Sequence, residues 1–386
     1  MNAYFDGTIT LAPTSTIVMI TDSTYVESSV QKPFSIILNP QGVTFGALGN
    51  RTYGEADFTV SATADSGLPV SFTSQTSSVC SVVSATVHLV SAGLCTIEAS
   101  QAGDGATWAA ATPVDQSFTV APQPATLTYT GNTLWSAGTG TTAAVTLTGQ
   151  VTGDGSPNTD LTKASVDFQV FSSSNNTATP DHTCTAAANA AGVVTCGLTL
   201  GIDNWTVVMA VSPGTTDFTA PDADPAIVTV YQPKAGRYAL GAGTVVDPSY
   251  HNLPVAVSSS HPNGRFGFAV WYASNGKTPQ GAMTYVFRGA DGYNYRIIST
   301  SWLGGALAFG TGVTSFSGRA WVIVTDPTTR QLVPGLSGIG YTYRVDVKDA
   351  STDTFALSVW NSKGALYHQV GTSSSELAVT TGGVLV

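Results

Sequence analysis

Ala56-Asp57-Phe58-Thr59-Val60-Ser61-Ala62 alternates between two kinds of side chain along an extended run. Alternation with a period of two sets one side of a strand against a core and the other in water. The pattern returns in Ser165-Val166-Asp167-Phe168-Gln169-Val170 and from Tyr341 to Val347. Gly, Pro, Asn and Asp stand between such runs, and β-branched residues fill them. Many short strands at this spacing, with almost no helix signal, predict an all-β protein built of sandwiches.

Proline-containing joints divide the chain at Asn39-Pro40-Gln41, Ala121-Pro122-Gln123-Pro124 and Tyr231-Gln232-Pro233-Lys234. The units are then 1–38, 39–121, 122–232 and 233–386. An internal repeat supports the division. Thr8-Ile9-Thr10-Leu11 through Ile20 lies on Thr86-Val87-His88-Leu89 through Glu98 without a gap. Val30-Gln31-Lys32-Pro33-Phe34-Ser35 then lies on Val114-Asp115-Gln116-Ser117-Phe118-Thr119. Residues 1–38 therefore read as a partial unit, the C-terminal strands of another copy of 39–121. About three strands cannot close a sandwich, since an apolar face and an edge stay open. Two explanations stand: a fragment whose natural chain continues upstream, or strand exchange with another subunit in a filament.

Composition narrows the function classes. Charged residues are 10% of the 386 and apolar residues 42%, so the chain buries enough surface to fold. The net charge is −10, with 14 Lys plus Arg and no run of three basic residues. Nucleic acid and a polybasic membrane contact are excluded as partners on that ground. No stretch of 18 apolar residues offers a membrane span. Met1-Asn2-Ala3-Tyr4-Phe5-Asp6-Gly7 lacks the basic start and apolar core of a signal peptide, so Met1 reads as a fragment start or export follows another route. The four cysteines form two local pairs, Cys80 with Cys95 and Cys184 with Cys196, each flanking a turn between strand-like runs. The spacing suits a disulfide between neighbouring strands and an oxidising compartment; four buried free thiols are the alternative.

Val43-Thr44-Phe45-Gly46-Ala47-Leu48, Tyr53-Gly54-Glu55-Ala56-Asp57-Phe58, Ser66-Gly67-Leu68-Pro69-Val70-Ser71-Phe72, Ser78-Val79-Cys80 and Leu89-Val90-Ser91-Ala92-Gly93-Leu94-Cys95-Thr96-Ile97 together resemble the bacterial immunoglobulin-like (Ig-like) repeats of large secreted and cell-surface proteins. The resemblance covers nearly all of 43–120. It implies an Ig-like sandwich, a Cys80–Cys95 bridge, and a role as spacer, stalk or adhesin shaft. Residues 125–230 resemble a second bacterial Ig-like type through Val166-Asp167-Phe168, Cys184-Thr185-Ala186, Ala191-Gly192-Val193-Val194-Thr195-Cys196 and Trp205-Thr206-Val207. The insertion from Ser172 to His182 departs from the compact form and is a candidate interface. Residues 236–386 resemble a β-rich domain that often closes such proteins, through Asn263-Gly264-Arg265-Phe266-Gly267-Phe268, Thr278-Pro279-Gln280-Gly281, Tyr341-Thr342-Tyr343-Arg344-Val345-Asp346-Val347 and Gly382-Gly383-Val384-Leu385-Val386. Phe355-Ala356-Leu357-Ser358-Val359-Trp360 is unusually apolar there, a sign of added burial.

Catalytic signatures are missing from the sequence. Gly335-Leu336-Ser337-Gly338 fails a nucleophile elbow at Ile339, and Gly276-Lys277-Thr278 fails a phosphate loop at Trp271. There is no H-E-x-x-H, the His residues are scattered, and no zinc spacing occurs. Calcium is the ion the loops suit: Asp154, Ser156, Asn158 and Asp160 place oxygens at alternating positions, and Asp222 with Asp224 offers a second place; an ordinary polar hairpin loop is the alternative. Trp271, Tyr272, Tyr285, Tyr293, Tyr295 and Trp302 crowd about thirty residues, as stacking rings of a glycan site or as alternating core residues. Lys163, at a strand start, is a candidate isopeptide donor without an identified acceptor.

The sequence thus predicts tandem Ig-like β-sandwiches plus a C-terminal β-sandwich domain, secreted and extracellular, without enzymatic activity. The expected function is a structural subunit of a surface fibre, filament or stalk that self-associates by β-strand complementation. The alternatives are a glycan-binding adhesin that takes polysaccharide on its last domain, and accessory domains of a larger secreted enzyme.

Overall fold

The computed structural model describes residues 38–233, 237–246 and 255–386. The partial unit read at 1–38 lies, but for Leu38, outside the described residues. The chain falls into two compact units, one running to Pro122 and including Ser156–Asn158, the other Gln123–Gly155 with Thr159–Val386.

In the first unit the described strands are β1 (Val43–Phe45), β2 (Arg51–Thr52), β3 (Phe58–Thr59), β4 (Ala62–Ala64), β5 (Ser71–Ser74), β6 (Cys80–Val83), β7 (Thr86–Leu89), β8 (Gly93–Ser100) and β9 (Val114–Ala121). They form a four-stranded sheet β2-β9-β8-β5, a three-stranded sheet β3-β7-β6 and the pair β1-β4. Alternation carries the core. Cys95, Ile97 and Ala99 of β8, Phe118 and Val120 of β9, and Val87 and Leu89 of β7 all point inward. This is an Ig-like sandwich.

The second unit holds two bodies. The first is a sandwich of β10 (Gln123–Tyr129), β11 (Leu134–Ser136), β12 (Thr142–Gly153), β13 (Ser165–Phe171), β14 (His182–Ala187), β15 (Val193–Gly201), β16 (Asp203–Val211), β17 (Phe218–Thr219) and β18 (Ala226–Tyr231). Sheet β15-β12-β10-β17 packs against sheet β11-β18-β16-β13-β14. The interior holds Val145, Leu147, Val166, Phe168, Val194, Val207 and Met209. Two strands break the alternation: β16 and β18 are buried on both faces, because the next body covers their outer side.

That body comprises β19 (Tyr238–Val246), β20 (Asn263–Tyr272), β21 (Pro279–Arg288), β22 (Asn294–Phe309), β23 (Val313–Thr325), β24 (Gly338–Lys348), β25 (Thr354–Trp360), β26 (Leu366–Val370) and β27 (Leu377–Leu385). Each strand pairs antiparallel with the next from β19 to β26, and β27 pairs with both β25 and β19. The expected layers of the last domain are therefore opposite walls of one sheet that closes on itself, an up-and-down barrel. Phe266, Phe268, Tyr285, Phe287, Phe316 and Phe355 fill its lumen, with the Phe266 and Phe355 rings stacked at 4.1 Å. The apolar run at 355–360 is explained here: Phe355, Ala356, Leu357 and Val359 are all buried in strand β25.

Both cysteine pairs are disulfides, Cys80–Cys95 and Cys184–Cys196. Cys80 sits on β6 and Cys95 on β8, and Cys184 on β14 with Cys196 on β15. Each bridge thus joins the two sheets of its sandwich rather than two strands paired within one sheet.

Candidate functional site

A polar buried region lies in the second unit, where β16 and β18 of the sandwich meet β20 and β21 of the barrel. The apolar part of the contact is close. Gly267 of β20 sits so near Ile227 and Thr229 of β18 that a Cβ there would collide with both side chains. Thr229 is fully buried, and its hydroxyl donates to Asn204 Oδ1 at 2.8 Å.

Beside this patch lie four arginines, three of which meet two aspartates. The loop between β17 and β18 delivers Asp222 and Asp224; strands β20, β21 and β22 deliver Arg265, Arg288 and Arg296. Arg330 comes from the β23–β24 turn, where its backbone is left-handed at φ 58°. Arg330 grips Asp222 with Nε at 3.1 and 3.2 Å and Nη2 at 2.9 Å. Arg265 and Arg288 face Asp224 at 4.0 and 3.9 Å, an electrostatic approach longer than a hydrogen bond. They donate instead to main-chain oxygens: Arg265 Nη1 to Pro225 O at 3.1 Å, and Arg288 Nη2 to Asp222 O at 3.3 Å. Burial lowers the pKa of both guanidiniums, an effect Asp224 offsets in part. Burial pushes the Asp222 carboxyl up, against the pull of Arg330.

Arg296 differs from the other three. It is 7% exposed and has no carboxylate in contact. Its Nη2 donates to Asn175 O at 2.7 Å and Thr177 O at 3.3 Å, both in the 172–182 insertion. Its guanidinium carbon lies 4.9 Å from the centre of the Phe171 ring. Burial pushes its pKa down to about 10. The insertion read as a candidate interface thus does make one, against the barrel.

The residues singled out in the sequence fall elsewhere or take other roles. Asp222 and Asp224 face arginines, so the second calcium position is a set of ion pairs. Asp154 accepts from Gln123 Nε2. Asp160 caps a short 3₁₀ turn at Leu161–Lys163, accepting from the Thr162 amide at 3.0 Å and its hydroxyl at 2.6 Å. Ser156 and Asn158 belong to the first unit, where Asn158 Nδ2 donates to Glu55 O at 3.0 Å and Asp57 Oδ1 at 2.8 Å. Among the described residues no group of three or more His, Cys, Asp or Glu side chains is placed to hold a metal. Lys163 lies 3.6 Å from Asp217 as an ion pair.

The six rings divide by strand parity. Tyr285 and Tyr295 are buried at 0% and 1%, alternating with Met283, Phe287 and Ile297 on the lumen side, so neither can stack on a sugar. Tyr272, Tyr293 and Trp302 are half-buried against the same core. Trp271 is half-exposed on the outer side, its indole N–H donating to Gln280 Oε1 at 3.0 Å. What the sequence reading passed over is the arginine cluster. Its signal is arginine inside apolar strands, as in Val286-Phe287-Arg288 and Tyr295-Arg296-Ile297-Ile298.

No family model and no curated protein matches the chain. Among solved structures, a chain of the crystal structure of Dpr2 Ig1-Ig2 in complex with DIP-Theta Ig1-Ig3 aligns at 17% identity, over 51% of this chain and 100% of that one, with a TM-score of 0.17. A quinonprotein alcohol dehydrogenase-like protein from Bacteroides thetaiotaomicron aligns at 6% identity over 88% and 97%, with a TM-score of 0.18. Likeness at those scores carries no argument. The class rests on the strands themselves: an all-β protein of Ig-like sandwiches with a closed antiparallel barrel. No helix among the described residues is long and apolar enough to cross a membrane.

Proposed function

We propose that this chain is a non-catalytic structural subunit of an extracellular fibre, filament or stalk, with its sandwiches as shaft and self-association by β-strand addition. The observation that carries the reading is the seam between the second sandwich and the barrel. A flexible linker would let neighbouring modules swing, whereas a desolvated seam of ion pairs and close-packed strands fixes their angle. Stiffness of that kind is what a load-bearing surface element needs. The inter-sheet disulfides fit an oxidising compartment. The sandwiches offer edge strands for pairing, the nine-residue β15 above all, while the closed sheet of the barrel leaves only the five-residue β26 with an unpaired side among its described strands.

Negative-stain imaging of native material tests this. Filaments or rods with a regular axial repeat are expected. Particles that remain monomeric at high concentration would remove the assembly reading. The glycan-binding alternative keeps one support: Trp271 lines a cavity of about 110 Å³ with Tyr231 and Tyr238. Retention of monomer on a polysaccharide column, lost in Trp271→Ala, would favour it over the fibre.

A further inference from the structure

A second cavity, of about 50 Å³, opens along the seam between sandwich and barrel. Arg296 lines it, and Arg296 Nη1 is buried without a protein acceptor. Stacking on Phe171 satisfies the face of the guanidinium, and the main chain of the insertion satisfies Nη2, so the open group is an edge N–H donor. Thr206 lies in the same lining, 3% exposed, and its hydroxyl is likewise without a partner. Asp181 acts on this cation electrostatically but no carboxylate pairs with it directly, and a buried guanidinium with an unmet N–H is costly unless something supplies the acceptor. We propose that this cavity is a binding site for a small monocarboxylate with a short aliphatic tail.

Three features select that chemistry. The buried donors left without a protein partner are few, one guanidinium edge and one hydroxyl, which suits the two oxygens of a single carboxylate. Asp222 and Asp326 also line the cavity, and their charges disfavour a phosphate or sulfate dianion. Phe171, Val208, Val286 and Ile323 form an apolar part of the wall, beside the polar Gln169, Asn294 and Thr325, and receive a hydrocarbon stem. Size sets the length: at roughly 10–15 Å³ for each water-sized site, the space holds about four or five heavy atoms. Acetate and propionate are of that size.

The test titrates the unaltered chain at low ionic strength with sodium propionate, and separately with propionamide, sulfate and inorganic phosphate, by calorimetry. One saturable propionate site is expected, with at least tenfold weaker binding of propionamide and of both inorganic anions. Equal binding of propionate and propionamide, or no saturable site for propionate, overturns the proposal. Because this series uses the parent sequence, it stands even if substitutions unfold the seam. Arg296→Gln, where it folds, should lose the propionate site, and Thr206→Val should weaken it about threefold while leaving the guanidinium in place. Undiminished binding in folded R296Q also overturns the assignment.

Discussion

Single side chains in this protein act mainly by finishing hydrogen-bond sets that the strands leave open. Asp104 is the clearest case: its carboxylate accepts from the amides of Ala106, Thr107 and Trp108 at 2.9, 2.7 and 2.8 Å. Those amides, Trp108's foremost, hold its pKa below the ordinary carboxylate value. In the unfolded chain the group protonates at a higher pH. Its contribution is therefore complete above the ordinary range and is lost as pH falls through the depressed folded-state value. Asp104→Ala should lower the melting temperature of the first unit at neutral pH, and the difference from the parent should shrink as pH falls below the ordinary carboxylate range. Asp222 is the counterpart in the second unit. Removing one member of a buried pair costs about 3–5 kcal/mol, and partial exposure of Arg330 reduces this to about 2. Asp222→Asn should show that loss in denaturant unfolding of the second unit, with the first unit's transition unmoved.

Strands and their connections bear the next set of expectations. Each disulfide closes a loop, of 15 residues in one sandwich and 12 in the other. A loop of that length stabilises by roughly 3 kcal/mol on the chain-entropy account. Reduction should lower both sandwiches by about that amount and leave the barrel's intrinsic strand pairing intact, as read by amide exchange along β20–β24. Gly281 illustrates a backbone requirement: its φ is +109°, and a Cβ would strike the Ala269 carbonyl of the paired strand. Gly281→Ala should cost about 2 kcal/mol or more. At this scale the sequence was largely readable, because β8, β9 and β13 each bury alternate residues of one sheet face. It gives no warning at β16 and β18, whose polar Asn204, Thr206 and Thr229 are buried beneath the barrel. Closure of the last sheet was not readable at all. It depends on β19 meeting β27 across the whole domain, and no local pattern encodes a pairing so distant. The arginine seam escaped for a related reason. Isolated polar residues in apolar strands read as edges until a second body is placed over them.

For the molecule as a whole, the seam predicts how it comes apart. The second sandwich and the barrel share buried strands and ion pairs, so they should melt in one transition, distinct from that of the first sandwich. Gly267→Val places a branched side chain against Ile227 and Thr229. It should split that joint transition into two, each body keeping its own strand signal in circular dichroism.

Closing the barrel through its first and last strands has a mechanical consequence. Leu240 of β19 stands opposite Leu385 of β27, so the two ends of the barrel emerge side by side. Tension applied between those ends would open that ladder like a zip, rupturing one hydrogen bond after another, because antiparallel bonds run perpendicular to the strands. A shearing load would have to break the whole row together. The barrel is accordingly the weak link when pulled through its own ends.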